Sequence, residues 1–172
     1  MRKVVLFIAT SLDGFIAGSD GDTDWLYTDG DFGYSEFYNS IDTILMGHNT
    51  YKFLLQFDIF PYPDKKNYVF TRTERQPDHN PVTFITGDVP GFVKNLKNED
   101  GNDIWLVGGG QINSILLNEN LIDEMIVSVH PIILGQGIPL FKERSLNNLP
   151  FKLVQNKVFE RGLIQLTYLL NV

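Results

Sequence analysis

Three consecutive glycines, Gly108-Gly109-Gly110, separate the apolar run Ile104-Trp105-Leu106-Val107 from the helix-like stretch that starts at Gln111-Ile112. Glycine adopts backbone conformations closed to other residues, and the amides that open a helix carry partial positive charge. A strand-to-helix turn free of side chains can therefore hold a diphosphate against bare backbone, which makes a nucleotide cofactor the first hypothesis. The spacing departs from the Gly-x-Gly-x-x-Gly dinucleotide pattern, because the third glycine would fall at Asn113. A tight turn with no ligand is the competing reading of the triplet alone.

Two further segments carry the same logic. Asp42-Thr43-Ile44-Leu45-Met46-Gly47 is an apolar strand ending in glycine, and His48-Asn49-Thr50-Tyr51 then opens a helix whose Thr50 and neighbouring amides suit phosphate. Lys66-Asn67-Tyr68-Val69-Phe70 ends in Thr71-Arg72-Thr73, two hydroxyls around one guanidinium. The planar fork of Arg72 matches a phosphate monoester with two parallel hydrogen bonds; a solvated strand-end charge is the plain alternative.

The elements that must position these residues alternate along the chain. Periodicity predicts strands over 3–9, 42–46, 66–70, 82–86, 103–107, 122–130, 151–158 and 163–170, and helices over 33–39, 48–56, 88–98 and 110–117. Alternation through residue 130 predicts parallel strands flanked by helices. Glu160-Arg161-Gly162 then reads as a hairpin turn, so the last strands add an antiparallel edge.

Composition removes several function classes. With 172 residues and 43% hydrophobic side chains, one domain can bury a full core. Fourteen basic residues against twenty-one acidic ones give a net charge of -7, which disfavours a nucleic-acid surface. The absence of cysteine removes disulfides, thiolate catalysis and cysteine metal sites. His48, His79 and His130 lack metal-site spacing, so no metal is expected, and His130 before Pro131 reads as a strand-end residue. Ser11 and Ser128 lack a nucleophile-elbow pattern, and the acidic run Asp20-Gly21-Asp22-Thr23-Asp24 lacks the glutamate that closes a calcium loop. No signal peptide and no membrane span are expected, which leaves the cytoplasm as the default compartment.

Taken together, the three segments resemble the dihydrofolate reductase superfamily. The opening run Ser11-Leu12-Asp13-Gly14-Phe15-Ile16-Ala17 with Asp24-Trp25-Leu26, and the later run His130-Pro131-Ile132-Ile133-Leu134-Gly135-Gln136-Gly137-Ile138-Pro139-Leu140-Phe141, are similar to the reductase domain of bacterial riboflavin biosynthesis. The resemblance covers residues 1–172 as a single domain. It implies a three-layer α/β fold with a mixed, mostly parallel central sheet, helices on its faces and an antiparallel C-terminal edge. It also implies an NADPH-dependent reductase that passes hydride to a small heterocyclic, imine or carbonyl substrate, as 5-amino-6-(5-phosphoribosylamino)uracil reductase does.

By the same resemblance, the backbone of Ala9 and the loop residues Ile16 and Ala17 seat the nicotinamide. Gly47, Thr50, Val107, Gly108, Gly109, Gly110 and Ile112 shape the diphosphate site, with a cis peptide joining Gly108 to Gly109, and His48, Asn49 and Gln111 lie beside it. Thr71 and Arg72 contact the adenosine end, and Arg72 favours the 2'-phosphate of NADPH. Asp31, Asp13 and Trp25 are the candidate catalytic residues, although Asp31 reads equally as a cap before Phe32-Gly33-Tyr34. Trp25, Phe32, Tyr34 and Phe53 suit the walls of a planar site, or simply the core.

One feature departs from the riboflavin enzymes: Leu26 to Ser40 contains no lysine or arginine to hold a ribose phosphate. Dihydrofolate reductase activity and a nonenzymatic NADPH-binding role therefore stay open beside the main reading. A homodimer through the C-terminal region is also expected, with the apolar run Ile126–Leu140 as its surface or as ordinary core.

Overall fold

The computed structural model describes residues 1–76, 81–142 and 149–170. Its elements follow in order as β1 (Val4–Thr10), β2 (Phe15–Ala17), α1 (Tyr34–Ser40), β3 (Ile41–Gly47), α2 (His48–Leu54), β4 (Lys66–Phe70), β5 (Val82–Ile85) and α3 (Val89–Lys97). Then come β6 (Asp103–Gly108), α4 (Gly110–Asn118), β7 (Glu124–Val129), β8 (Ile138–Pro139), β9 (Phe151–Val158), a single 3-10 turn at Glu160–Gly162, and β10 (Ile164–Leu170).

Eight strands form one sheet in the order β5-β4-β3-β6-β1-β7-β10-β9. The pairings from β5 through β7 are parallel, and β10 and β9 close the sheet as antiparallel strands. Alternation along each strand splits its side chains between two cores. On β6, Ile104 and Leu106 pack with Val93 and Leu96 of α3 and with Leu116 and Leu117 of α4. Trp105 turns to the other face, where Phe37 of α1 and Tyr51 and Leu54 of α2 meet it. The result is the expected three-layer arrangement.

The observed bounds differ from the sequence reading by a residue or two at several ends. The 48–56 helix stops at Leu54 and the 122–130 strand starts at Glu124. A small second sheet, β2 paired antiparallel with β8, has no counterpart in the sequence reading. Its strands are three and two residues long, too short for periodicity to register. Among the described residues, no helix is long and apolar enough to cross a membrane.

The lower end of the sheet is tied by buried charge. Arg2 is 5% exposed and donates through Nη2 to Asp42 and to Thr43 Oγ1, while its Nε donates to the carbonyl of Asn102. Lys97 donates to both oxygens of Asp123 at 2.8 and 2.7 Å, and Asp123 also accepts the amide of Val4. These ties fix the first strand beside α3, opposite the end that carries the site.

Candidate functional site

Because β5 through β7 run in parallel, their C-terminal ends share one edge. That edge collects Thr71 and Arg72 after β4, Gly47 at the end of β3, Gly108 at the end of β6, Thr10 at the end of β1 and Val129 at the end of β7. From adjacent strands β3 and β6 the chain leaves to opposite faces, α2 toward the Trp105 side and α4 toward the Leu106 side. A crevice opens wherever neighbouring strands part in this way, and ligands of open α/β sheets bind there.

The three glycines at this crevice are small for different reasons. Gly108 has φ of 105°, and a methyl there would meet Asn113 Oδ1 at 3.1 Å. A methyl on Gly110 would lie 2.3 Å from the carbonyl oxygen of Pro139, so close packing excludes it. Gly109 has extended φ and ψ of -86° and -162°, and a methyl there would make only ordinary contacts, 3.4 Å to Thr50 Oγ1 and 3.7 Å to Ile16 Cδ1. The fold therefore tolerates a side chain at Gly109, and the bare space lies between a hydroxyl from α2 and an apolar side chain from β2. The peptide joining Gly108 to Gly109 is cis, as the resemblance implies.

Residues 137–142 lock the loop of β2 onto this turn. Lys142 donates its amide to Gly110 O at 3.1 Å, Leu140 donates to Gly14 O at 3.0 Å, and a methyl on Gly137 would sit 2.2 Å from Ala17 O. The fully buried Asn113 donates through Nδ2 to Leu140 O at 2.9 Å. Ile112 abuts Gly47, whose added methyl would lie 3.1 Å from Ile112 Cγ1. Ile16, Gly47, Thr50, Gly109, Gly110 and Ile112 are thus brought together, with Ala17 buried against Gly137 and Val107 half-buried on β6.

Beside α2 lies a cavity of about 450 Å³ lined by His48, Tyr51, Lys52, Leu55, Arg75 and Phe84, among others. Burial, then the charges of Arg75 and Lys52, holds His48 below the ordinary histidine value, and Glu74 lines the cavity beside these two cations. Thr71 orders its rim: Oγ1 donates to Thr73 O at 3.1 Å and accepts Arg75 Nε at 3.4 Å. Arg72 is exposed and does not line the cavity. Arg75 and Lys52 escaped the sequence reading; the only trace was a second arginine three residues after the first. Asn49 is exposed on the first turn of α2, and Gln111 is exposed on the first turn of α4.

The candidate catalytic residues do not share partners. Asp13 accepts Ser11 Oγ at 2.6 Å and the amides of Leu134 and Gly135 at 3.1 and 2.8 Å. These bonds, the Ser11 hydroxyl foremost, hold its carboxyl below the ordinary range. Asp31 accepts the hydroxyl and the amide of Ser35, and these hold its carboxyl down too. It thereby accepts one amide in the first turn of α1, whose N-cap position is Gly33. Trp25 meets His130 edge to face with centroids 5.3 Å apart. Tyr34 packs on Phe7 and Trp105, Phe32 on Phe159, and Phe53 on Phe57. Among the described residues, no three histidine or acidic side chains converge on a metal site.

The RibD C-terminal domain model matches residues 2–165. YwjB of Bacillus subtilis, an uncharacterised protein, is 43% identical over 171 residues, which cover 97% of this chain and 97% of YwjB. A crystal structure from Shewanella sp. PV-4, provisionally assigned to riboflavin biosynthesis, superposes with a TM-score of 0.88 at 34% identity and covers 100% of both chains. The diaminohydroxyphosphoribosylaminopyrimidine deaminase/5-amino-6-(5-phosphoribosylamino)uracil reductase of Thermotoga maritima superposes with a TM-score of 0.74 at 22% identity. It is similar in fold over 99% of this chain and 57% of that one.

Proposed function

Since the chain belongs to the RibD C-terminal domain family, whose fold is that of dihydrofolate reductase, we propose that it is an NADPH-dependent reductase of a small heterocyclic, imine or carbonyl substrate. The observation that carries this reading is the space at Gly109, which the fold leaves open between Thr50 and Ile16 at the parting of β3 and β6. A diphosphate needs bare backbone there, and a purely structural turn does not.

In this reading Thr50 and the Gly108–Gly110 backbone hold the diphosphate, with Gly47, Val107 and Ile112 setting the shape of the crevice. Ala9, Ile16 and Ala17 seat the nicotinamide, and His48, Asn49 and Gln111 flank the cofactor. The bound cofactor supplies the hydride; the chain supplies position and a dry site. Asp13 and Asp31 are held ionised by their hydrogen bonds, and a general acid needs a value near the working pH. In this reading Asp31 accepts an N–H-bearing ring, Asp13 lies on the loop beside the nicotinamide with its carboxylate held by Ser11, Leu134 and Gly135, and Trp25 is a wall. Residues 1–172 act as one cytoplasmic domain. NADPH binding by titration, followed by its oxidation in the presence of pterin, pyrimidine and imine compounds, tests the reading. Binding without turnover on any of them would favour a nonenzymatic role.

Cofactor choice is decided at the adenosine end. Both Arg72 and Arg75 follow Thr71, and Arg75 lines the cavity. Replacing an arginine on the 2'-phosphate by alanine is expected to weaken NADPH by roughly ten- to a hundredfold, about 1.5–3 kcal/mol, with NADH unchanged. Fluorescence titration of Arg72→Ala and Arg75→Ala apportions the loss between them. Equal losses for NADPH and NADH in both variants would contradict a phosphate contact.

We also propose a homodimer. Of the run Ile126–Leu140, Val127 and His130 are buried within the chain, and Ile133 is exposed. The larger uncovered surface is β9, an edge strand with Leu153, Val154 and Val158 exposed at 46%, 47% and 73%. An uncovered edge strand can pair with an equivalent strand, here with Lys152, Gln155, Asn156 and Lys157 exposed among its apolar side chains, and a stable contact removes about 1,000 Å² or more from water. Sedimentation is expected to give twice the 19.6 kDa chain mass, returning to one chain mass in Val158→Lys. A single species at chain mass in the unaltered protein refutes the dimer.

A further inference from the structure

His130 is 3% exposed and sits where β7 ends beside Thr10, its amide donating to Thr10 O at 2.8 Å. Its ring nitrogens have partners of opposite kind. Nε2 accepts the backbone amide of Tyr27 at 3.2 Å, and Nδ1 faces Ser128 O at 3.3 Å. An amide only donates and a carbonyl only accepts, so both partners select one species: neutral imidazole with its proton on Nδ1. Burial holds the ring below the ordinary histidine value, against the raising effect of the Ser128 and Thr10 carbonyls.

The same ring is the floor for two aromatic side chains of the segment 25–29. Trp25 and Tyr27 meet it at centroid distances of 5.3 and 4.9 Å. On Tyr27 lies the guanidinium of Arg161, 3.9 Å from the ring centroid, which also pairs with Asp29 at 2.6 Å. Tyr27 Oη donates to Arg161 O at 3.4 Å. Arg161 has φ of 62°, an uncommon conformation for a side-chain-bearing residue, within the turn between β9 and β10. Tyr27 faces this side of the imidazole, and Arg161 and Asp29 lie behind it. Arg161 and Asp29 pair with each other, and both are more than half exposed, so they contribute little by themselves.

We infer that His130 is an acid-sensitive positioning residue, a latch whose neutral ring holds Trp25–Asp29 closed beside the site and whose protonated ring releases it. Protonation puts an N–H on Nε2 directly against the N–H of Tyr27, turning a hydrogen bond into a clash of two donors. The backbone of Tyr27 then loses its anchor, and the loop that continues from Ala17 of β2 loosens with it. Because the folded ring has a lowered value, its contribution to stability is complete above the ordinary histidine value and is lost as the pH falls below it. The latch is independent of the reductase reading, which can fail without affecting it.

Hydrogen exchange of the Tyr27 amide, followed by NMR and corrected for the intrinsic pH dependence, tests the latch. Protection in the unaltered protein is expected to fall about tenfold or more as the His130 ring protonates, with the His130 ring proton and the Tyr27 amide sharing one titration midpoint. Amides of β1 and β6 keep their protection over the same range. In His130→Gln the Tyr27 amide is expected not to respond in that range. Constant protection of Tyr27 across the titration of His130 in the unaltered protein overturns the inference, as does the same loss in His130→Gln. The shared midpoint, read on the unaltered chain, decides the matter if that variant fails to fold.

Discussion

Gly109→Ala is expected to fold and melt as the unaltered protein does while losing NADPH affinity by about ten- to a hundredfold, or about 1.4–2.8 kcal/mol. The backbone at Gly109 suits alanine, and the added methyl finds Thr50 Oγ1 and Ile16 Cδ1 at ordinary contact distance. Nothing in the fold opposes the substitution, so the melting temperature should stay within about 2 °C. The methyl instead occupies the space assigned to the diphosphate. Gly110→Ala is the instructive contrast, because its methyl meets the Pro139 carbonyl at 2.3 Å and the turn must shift. That variant loses stability first. Calorimetric titration combined with thermal melts separates the two, and unchanged NADPH affinity in a folded Gly109→Ala would make the turn purely structural.

Arg2→Met is expected to be the most damaging single change to the sheet. It keeps the length of the side chain and removes the guanidinium from Asp42, Thr43 and Asn102. Breaking a buried pair by deleting one partner costs about 3–5 kcal/mol, and the lower end applies because the Asp42 side chain is 34% exposed. About 3 kcal/mol corresponds to a melting temperature lower by roughly 6–12 °C in a chain of this size. Burial raises the carboxyl of Asp42, but the Thr43 hydroxyl, the Asn102 amide and the Arg2 charge outweigh it and leave it below the ordinary value. Its contribution is therefore present above that value and lost as the pH falls through the lowered one. The gap between Arg2→Met and the unaltered protein should accordingly narrow in acid; denaturant melts at neutral and acidic pH measure it, and a gap that widens in acid would contradict the assignment.

The layers, the parallel run of strands and the antiparallel edge were all legible, because short continuous apolar runs such as Ile104–Val107 and Ile44–Met46, buried on both faces, alternate with helix-like stretches. The N-cap reading of Asp31 was displaced by one element of local geometry: Gly33 holds the N-cap position in a left-handed conformation, and Asp31 reaches past it to the Ser35 amide. Long-range partnerships were not legible. Asp13 reads as a free loop carboxylate, yet the amides that occupy it lie 121 and 122 positions along the chain. His130 reads as a strand-end residue, yet its ring is held by an amide 103 positions away. The glycine triplet looks uniform in sequence, and only its surroundings divide it into a left-handed residue, an open one and a tightly packed one. Arg75 lines the cavity because of the path the chain takes after Thr71, which no local pattern records.

A crystal structure of the protein with NADPH tests the central claim most directly. The diphosphate is expected against Gly109, between Thr50 and Ile16, with the adenosine end in the cavity of His48 and Arg75. An NADPH molecule bound elsewhere, or none bound from crystals soaked at saturating cofactor, would contradict it.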